Sequence, residues 1–139
     1  MRICRFNDNR LGVVLGKHVH DVSAVLERLP TFRYPLPEHD PLMAALPELR
    51  TAMEELADRA EPLPLNSVNL LSPVASPRKI VAAPVNYRLH HEEALADENI
   101  HHGTNILPID KAGLFLKATS ALVGPSAGVE IRFPGERND

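Results

Sequence analysis

Cysteine is almost missing from this chain. Cys4 is the single one in 139 residues, so no disulfide can form within it. Cys4 falls in the first strand candidate, where a buried, inert thiol is the expected state. Tryptophan is absent, and the aromatic set is four Phe and two Tyr. That is too few for platforms on which nucleobases stack. The net charge of −3 and the lack of any Lys/Arg block exclude strong attraction to nucleic acid or anionic membrane. No apolar run approaches the roughly 20 residues of a membrane-spanning helix. The N-terminus alternates charged and apolar residues and lacks the apolar core of a signal peptide. Hydrophobic residues make up 44% and charged residues 24%, which suits a globular rather than a disordered chain. A cytoplasmic protein is the expectation.

Proline, by contrast, is abundant. Thirteen prolines, most of them between residues 30 and 84, argue for short segments and against long helices there. Before them, Arg2–Phe6, Leu11–Leu15 and His18–Val22 alternate as strands, parted by Asn7-Asp8-Asn9 and Gly16. This is a β-meander. Ser23 is placed to cap a helix over Ala24–Leu29 that Pro30 ends. Thr31–Pro41 reads as loop. Asp40 can cap a helix begun by Pro41, and Leu42, Leu46, Leu49, Met53 and Leu56 form one apolar stripe. Pro47 inside that stripe predicts a break or kink. Val68–Leu71 and Lys79–Ala83 are further strand candidates. Asn86–Ala96 reads as helix, with Leu89 and Ala94 inward. Asp97–Gly113 reads as a long loop or lid, Leu114–Lys117 as a short strand, Val123–Pro125 as a turn and Val129–Phe133 as a last strand.

The residues most able to carry chemistry follow the apolar run Ile80–Val85. The segment Asn86-Tyr87-Arg88-Leu89-His90-His91-Glu92-Glu93 puts His90 and Glu93 at i and i+3, on one helical face. A carboxylate beside an imidazole orients it and raises its basicity, which suits proton abstraction from water. By spacing alone, a solvated charged face reads more readily. Position shifts the balance, because sites gather where loops leave strand ends. Asn86 can cap the helix or donate to a ligand oxygen. Lys117 can neutralise a carboxylate or a developing oxyanion, and otherwise is a surface lysine on an edge strand. The pairs His90/His91 and His101/His102 offer a rival Zn²⁺ or Ni²⁺ reading. Adjacent histidines on a helix point about 100° apart, so each pair supplies one good ligand per site. Adventitious metal binding is the expectation there.

Taken in order, Lys79-Ile80-Val81, Asn86-Tyr87, His90, Glu93, Phe115-Leu116-Lys117 and Gly124-Pro125 resemble the fumarylacetoacetate hydrolase family. The resemblance covers roughly residues 72–139. It implies an α/β (α+β) fold, with a small N-terminal β-meander/helix domain over 1–72. An incomplete mixed β-roll, the beginning of a catalytic domain, follows over 73–139. It also implies a hydrolase, hydratase or decarboxylase of 2-oxo or β-diketo acids, of the kind used in aromatic catabolism. His90 would activate water, Glu93 would orient His90, and Lys117 would bind substrate oxygens with Asn86 and Tyr87. A divalent ion, Mg²⁺ or else Mn²⁺ or Ca²⁺, would chelate the oxo acid. The family pattern has Pro after Phe-Leu-Lys where this chain has Ala118. Its Glu-x-Glu metal ligands would follow a turn such as Arg137-Asn138-Asp139, where the sequence stops. The metal ligands are therefore expected to be missing from this chain. The alternative reading is a catalytically incompetent fragment acting only by association. An exposed edge at Val129–Phe133 would favour pairing with another chain, and a homodimer is the expected assembly.

Overall fold

The structure, a computed structural model, describes residues 1–97, 103, 105–130 and 135. The chain divides into two compact units. One comprises Met1–Arg78 with the segment beginning at Leu122, and the other is Lys79–Ala121.

The first unit is built on the expected meander. Strands β1 (Arg2–Phe6), β2 (Arg10–Leu15) and β3 (His18–Asp21) pair antiparallel in sequence order. Two short strands complete the sheet: β4 (Pro62–Pro64) beside β3 and β5 (Leu70–Leu71) beside β1. Register puts Ile3 opposite Val13, and Val13 opposite His20, on one face. Alternation sends Cys4, Phe6, Val14 and Val19 to the other. Both faces are covered. On the first, Leu11, Val13, Val22 and Val25 pack against Leu42, Leu49, Ala52, Met53 and Ala57 of α1 (Pro41–Arg59). On the second, Phe6, Val19 and Val68 form a smaller core with Leu63, Leu65 and Leu70 around them.

Gly12 lies on the second face because nothing larger fits. A Cβ there would stand 2.4 Å from Val19 Cγ1 and 3.1 Å from both Cys4 Sγ and Phe6 Cε1.

The long helix departs from expectation. α1 runs unbroken for 19 residues through Pro47. Asp40 caps it, its Oδ1 accepting from the N–H groups of Leu42 (3.0 Å) and Met43 (3.2 Å). Pro47 sits on the exposed side, where water can reach the carbonyl that its ring leaves without an N–H. The stripe on either side of Pro47 docks on one sheet face, and that burial outweighs the local penalty. Burying a Leu or Met side chain contributes roughly 1.5–3 kcal/mol. At the far end of the helix, His20 Nδ1–H donates to Ala57 O at 2.9 Å and ties β3 to the last turns.

The expected helix after β3 is a 3₁₀ segment, Ser23–Arg28. Ser23 does not cap it. Its hydroxyl accepts instead from Leu11 N–H at 2.9 Å, and Asp21 accepts from Ser23 N–H at 2.8 Å.

Residues 124–126 lie along the outer edge of β5. Leu70 N–H donates to Ser126 Oγ at 2.9 Å. A Cβ on Gly124 would stand 2.4 Å from Leu70 O and 2.5 Å from Leu71 Cα. The turn expected around Pro125 is present. Val129 and Glu130 carry no strand, and the rest of the strand expected to reach Phe133 lies outside the described residues.

The second unit is slighter. β6 (Ile80–Ala82) and β7 (Phe115–Lys117) form a two-stranded antiparallel ribbon. Its helices among the described residues are α2 (Arg88–Ala96) and the four-residue α3 (Ile109–Ala112). Ala94 is buried as expected, whereas Leu89 is 64% exposed. The mixed α/β character expected from the sequence is the observed one. No helix among the described residues is long and apolar enough to cross a membrane.

Pro47→Ala is expected to stabilise the protein by about 1–3 kcal/mol, the interior proline penalty less the gain in unfolded-chain entropy. Urea unfolding would show a higher midpoint at constant slope. Gly12→Val is expected to cost about 1–3 kcal/mol through overpacking against Val19 and Phe6. A variant melting with the parent would show that the second face has room to spare.

Candidate functional site

Each predicted site residue belongs to the second unit, and α2 carries the dyad. The chain leaves β6 at Ala82, passes Pro84 and the buried Val85, and enters α2 through Tyr87 at the N-cap. No side chain caps this helix, so Asn86 is not its cap; it is exposed at the strand exit. Arg88 and Glu92 pair across one turn at 3.2 Å, both well exposed. Such a pair contributes about 0.3–0.5 kcal/mol.

His90 is half-buried, and its ring lies on Tyr87, with centroids 5.4 Å apart and planes tilted by 33°. Glu93 is exposed. No hydrogen bond or ion pair joins His90 to Glu93. The i, i+3 spacing puts them on neighbouring parts of the helix without orienting one by the other.

Lys117 is exposed, its Nζ 5.8 Å from the centroid of the Phe115 ring. The ribbon's register places Lys117 opposite Ile80, and Phe115 opposite Ala82. Lys117 thus stands at the end of the ribbon where β6 begins, and Asn86 lies beyond the other end.

The structure instead groups a different set around a cleft of about 210 Å³: Val85, Asn86, Tyr87, Arg88, His91, Pro108 and Ile109. Of the residues expected to bind substrate, Asn86 and Tyr87 line it. His90 and Glu93 do not line it, and His91 does. His91 is half-buried, and its Nε2–H donates to Ile106 O at 2.7 Å. A signal for His91 was present in the sequence. Positions 87 and 91 are four apart and share a helical face, as the His91 N–H bond to Tyr87 O (3.1 Å) records. Pro108 and Ile109 come from the segment expected to be loop throughout, which folds there into α3.

No group of three or more His, Cys, Asp or Glu side chains among the described residues could hold a metal ion. The described donors therefore do not fit the divalent ion that the resemblance implies. His101 and His102 of the rival metal reading, Glu98, and the turn Arg137-Asn138-Asp139 lie outside the described residues.

The remaining titratable group of note is Cys4 in β1. Burial raises its thiol above the ordinary value near 9. The unfolded chain therefore ionises first as pH rises. Cys4 adds no pH dependence while both states stay protonated, and stability falls as pH climbs through and above 9. Cys4→Ala should flatten that alkaline decline in pH-dependent melting. An unchanged slope would place its origin elsewhere.

Comparison with known proteins gives a consistent result. No protein-family model matches the chain. The chain is 50% identical over 141 residues to maleylpyruvate hydrolase from Aquipseudomonas alcaligenes. That alignment takes in 100% of this chain and 49% of the hydrolase. The fold matches the crystal structure of maleylpyruvate hydrolase from Sphingobium sp. SYK-6 in complex with manganese(II) and pyruvate. The TM-score is 0.60 at 35% identity, over 90% of this chain and 40% of that one. A second crystal structure of the Sphingobium enzyme matches with a TM-score of 0.59 at 34% identity, over 90% of this chain and 39% of that one. The chain spans about half the length of the curated relative it matches.

Proposed function

We propose that this chain is part of a fumarylacetoacetate hydrolase-family enzyme that cleaves a C–C bond of a maleylpyruvate-type oxo acid. The observation that carries this reading is the 50% identity to a maleylpyruvate hydrolase along the whole chain. The manganese and pyruvate in the similar Sphingobium structure support a divalent metal and a 2-oxo acid ligand. Residues 1–72 act as the small N-terminal domain and residues 73–139 begin the catalytic one. The enzyme works in the cytoplasm as a homodimer.

In this reading His90 takes a proton from water, which adds to the carbonyl carbon next to the scissile bond. The C–C bond then breaks, the electron pair passes to the carbon chain of the oxo acid, and a proton returns there. One water is consumed and two acids leave. Glu93 stabilises the imidazolium form of His90, and Asn86, Tyr87 and Lys117 bind substrate oxygens. The metal would polarise the oxo-acid oxygens when bound. No step is assigned to it through the described residues.

A chimera tests this reading. This chain would replace the aligned segment of the Aquipseudomonas hydrolase, and pyruvate release from maleylpyruvate would be followed with Mn²⁺ present. The chimera should turn over. His90→Ala within it should lower kcat by about 10²–10⁴, the range for a general base, with melting unchanged. A chimera that folds and binds Mn²⁺ but releases no pyruvate would remove the proposed activity. Full activity in the His90→Ala variant would remove His90 from it.

A further inference from the structure

The cleft beside α2 has one wall that local structure cannot hold. α3 is four residues long, and a helix that short is not stable by itself. Its turn rests on local bonds only. Lys111 and Ala112 N–H donate to Pro108 O, each at 2.9 Å, and Gly113 N–H donates to Ile109 O at 2.8 Å. Pro108 and Ile109 nonetheless line the cleft opposite α2. Among the described residues, the hydrogen bond that ties this segment to α2 comes from the His91 side chain, Nε2–H to Ile106 O at 2.7 Å.

That bond also fixes the ring. A carbonyl can only accept, so Nε2 must carry hydrogen, and in the neutral imidazole Nδ1 does not. The side chain of its neighbour His90 makes no hydrogen bond among the described residues and rests on Tyr87. Of the two adjacent imidazoles, the one at the cleft is the one held in place. The other polar side chains of the cleft are Asn86, Tyr87 and Arg88, and among the described residues no carboxylate lines it. The exposed surface of the cleft is mostly apolar, and these three side chains are the donors it offers an anionic oxygen.

We propose that His91 is a positioning residue whose imidazole fastens the Ile106–Ile109 wall to α2, shaping the Asn86–Tyr87 cleft to receive the carboxylate end of a small oxo acid. The clasp stands on the geometry alone. The identity of the ligand rests on the function proposed above.

The experiment compares His91→Ala and His91→Gln, since a glutamine amide can still donate to Ile106 O. Amide hydrogen exchange on the 139-residue chain reads the clasp. His91→Ala should speed exchange at Lys111, Ala112 and Gly113 by about tenfold, the factor matching one hydrogen bond's net contribution. Exchange in β1–β3 should not change, and His91→Gln should restore protection. Unchanged protection in His91→Ala, or equal loss throughout the chain, would overturn the clasp. The chimera reads the cleft. His91→Ala should raise KM several-fold with kcat held, and His91→Gln should recover it. A fall in kcat at constant KM would overturn the positioning role. A chimera inactive with His91 intact would count against the function proposed above, and the exchange result would still decide the clasp.

Discussion

The seam between α1 and the sheet face carrying Leu11, Val13 and Val22 is the contact on which the first unit depends. Met53, Val22 and Val25 are wholly buried there, and the seam collects most of the unit's apolar burial. It decides local questions that propensity would answer differently. A proline at position 47 should interrupt a helix, yet the stripe it interrupts is held from both sides by one sheet. Asp40 settles where that helix starts, and His20 reaches from β3 to brace its end. The opposite sheet face is smaller and tighter, which is why Gly12 stands without a side chain beside Phe6 and Val19.

Among the described residues the second unit has no comparable seam. Val85 and Ala94 are its buried apolar residues among those described, and Val81 and Leu116, paired across the ribbon, are 55% and 67% exposed. A two-stranded ribbon is marginal without a covered face. The residues with the most chemistry to offer therefore stand on the part of the chain with the least packing to fix them. Polar ties take over some of that work. The Arg88–Glu92 pair is weak because both partners are in water, whereas the His91 bond to Ile106 joins two half-buried groups.

Much of this was legible in the residues. The meander followed from strict alternation broken by Asn-Asp-Asn and Gly, and α1 from its leucine spacing and the Asp-Pro start. Asn86 and Tyr87 were read as substrate-binding residues at a strand exit, and the structure puts both on a cleft there. What failed did so for tertiary reasons. Pro47 was misjudged because a local penalty was weighed without the sheet that opposes it. Leu89 looked inward by hydropathy, but it is 64% exposed. The register of β6 with β7, which sends Lys117 away from Asn86, is a long-range pairing that neither strand's own sequence encodes.

The dyad and the cleft also bear on each other through helix geometry. Successive residues on α2 point about 100° apart, so His90 and His91 cannot both face the same ligand. The structure gives the cleft to His91 and leaves His90 beside Tyr87. An imidazole without a hydrogen bond has neither a fixed tautomer nor a fixed plane, and Glu93 is not positioned to supply them. For His90 to act as a base, something must turn Glu93 toward it or bring a third group to its ring. Tyr87 is the residue best placed to register such a change. It lies against His90, stands at the N-terminal position of α2 and lines the cleft. A ligand settling against Tyr87 would press on the ring that must move. If His90 is the base proposed above, binding in the cleft and turning of its ring would be coupled through this one aromatic contact.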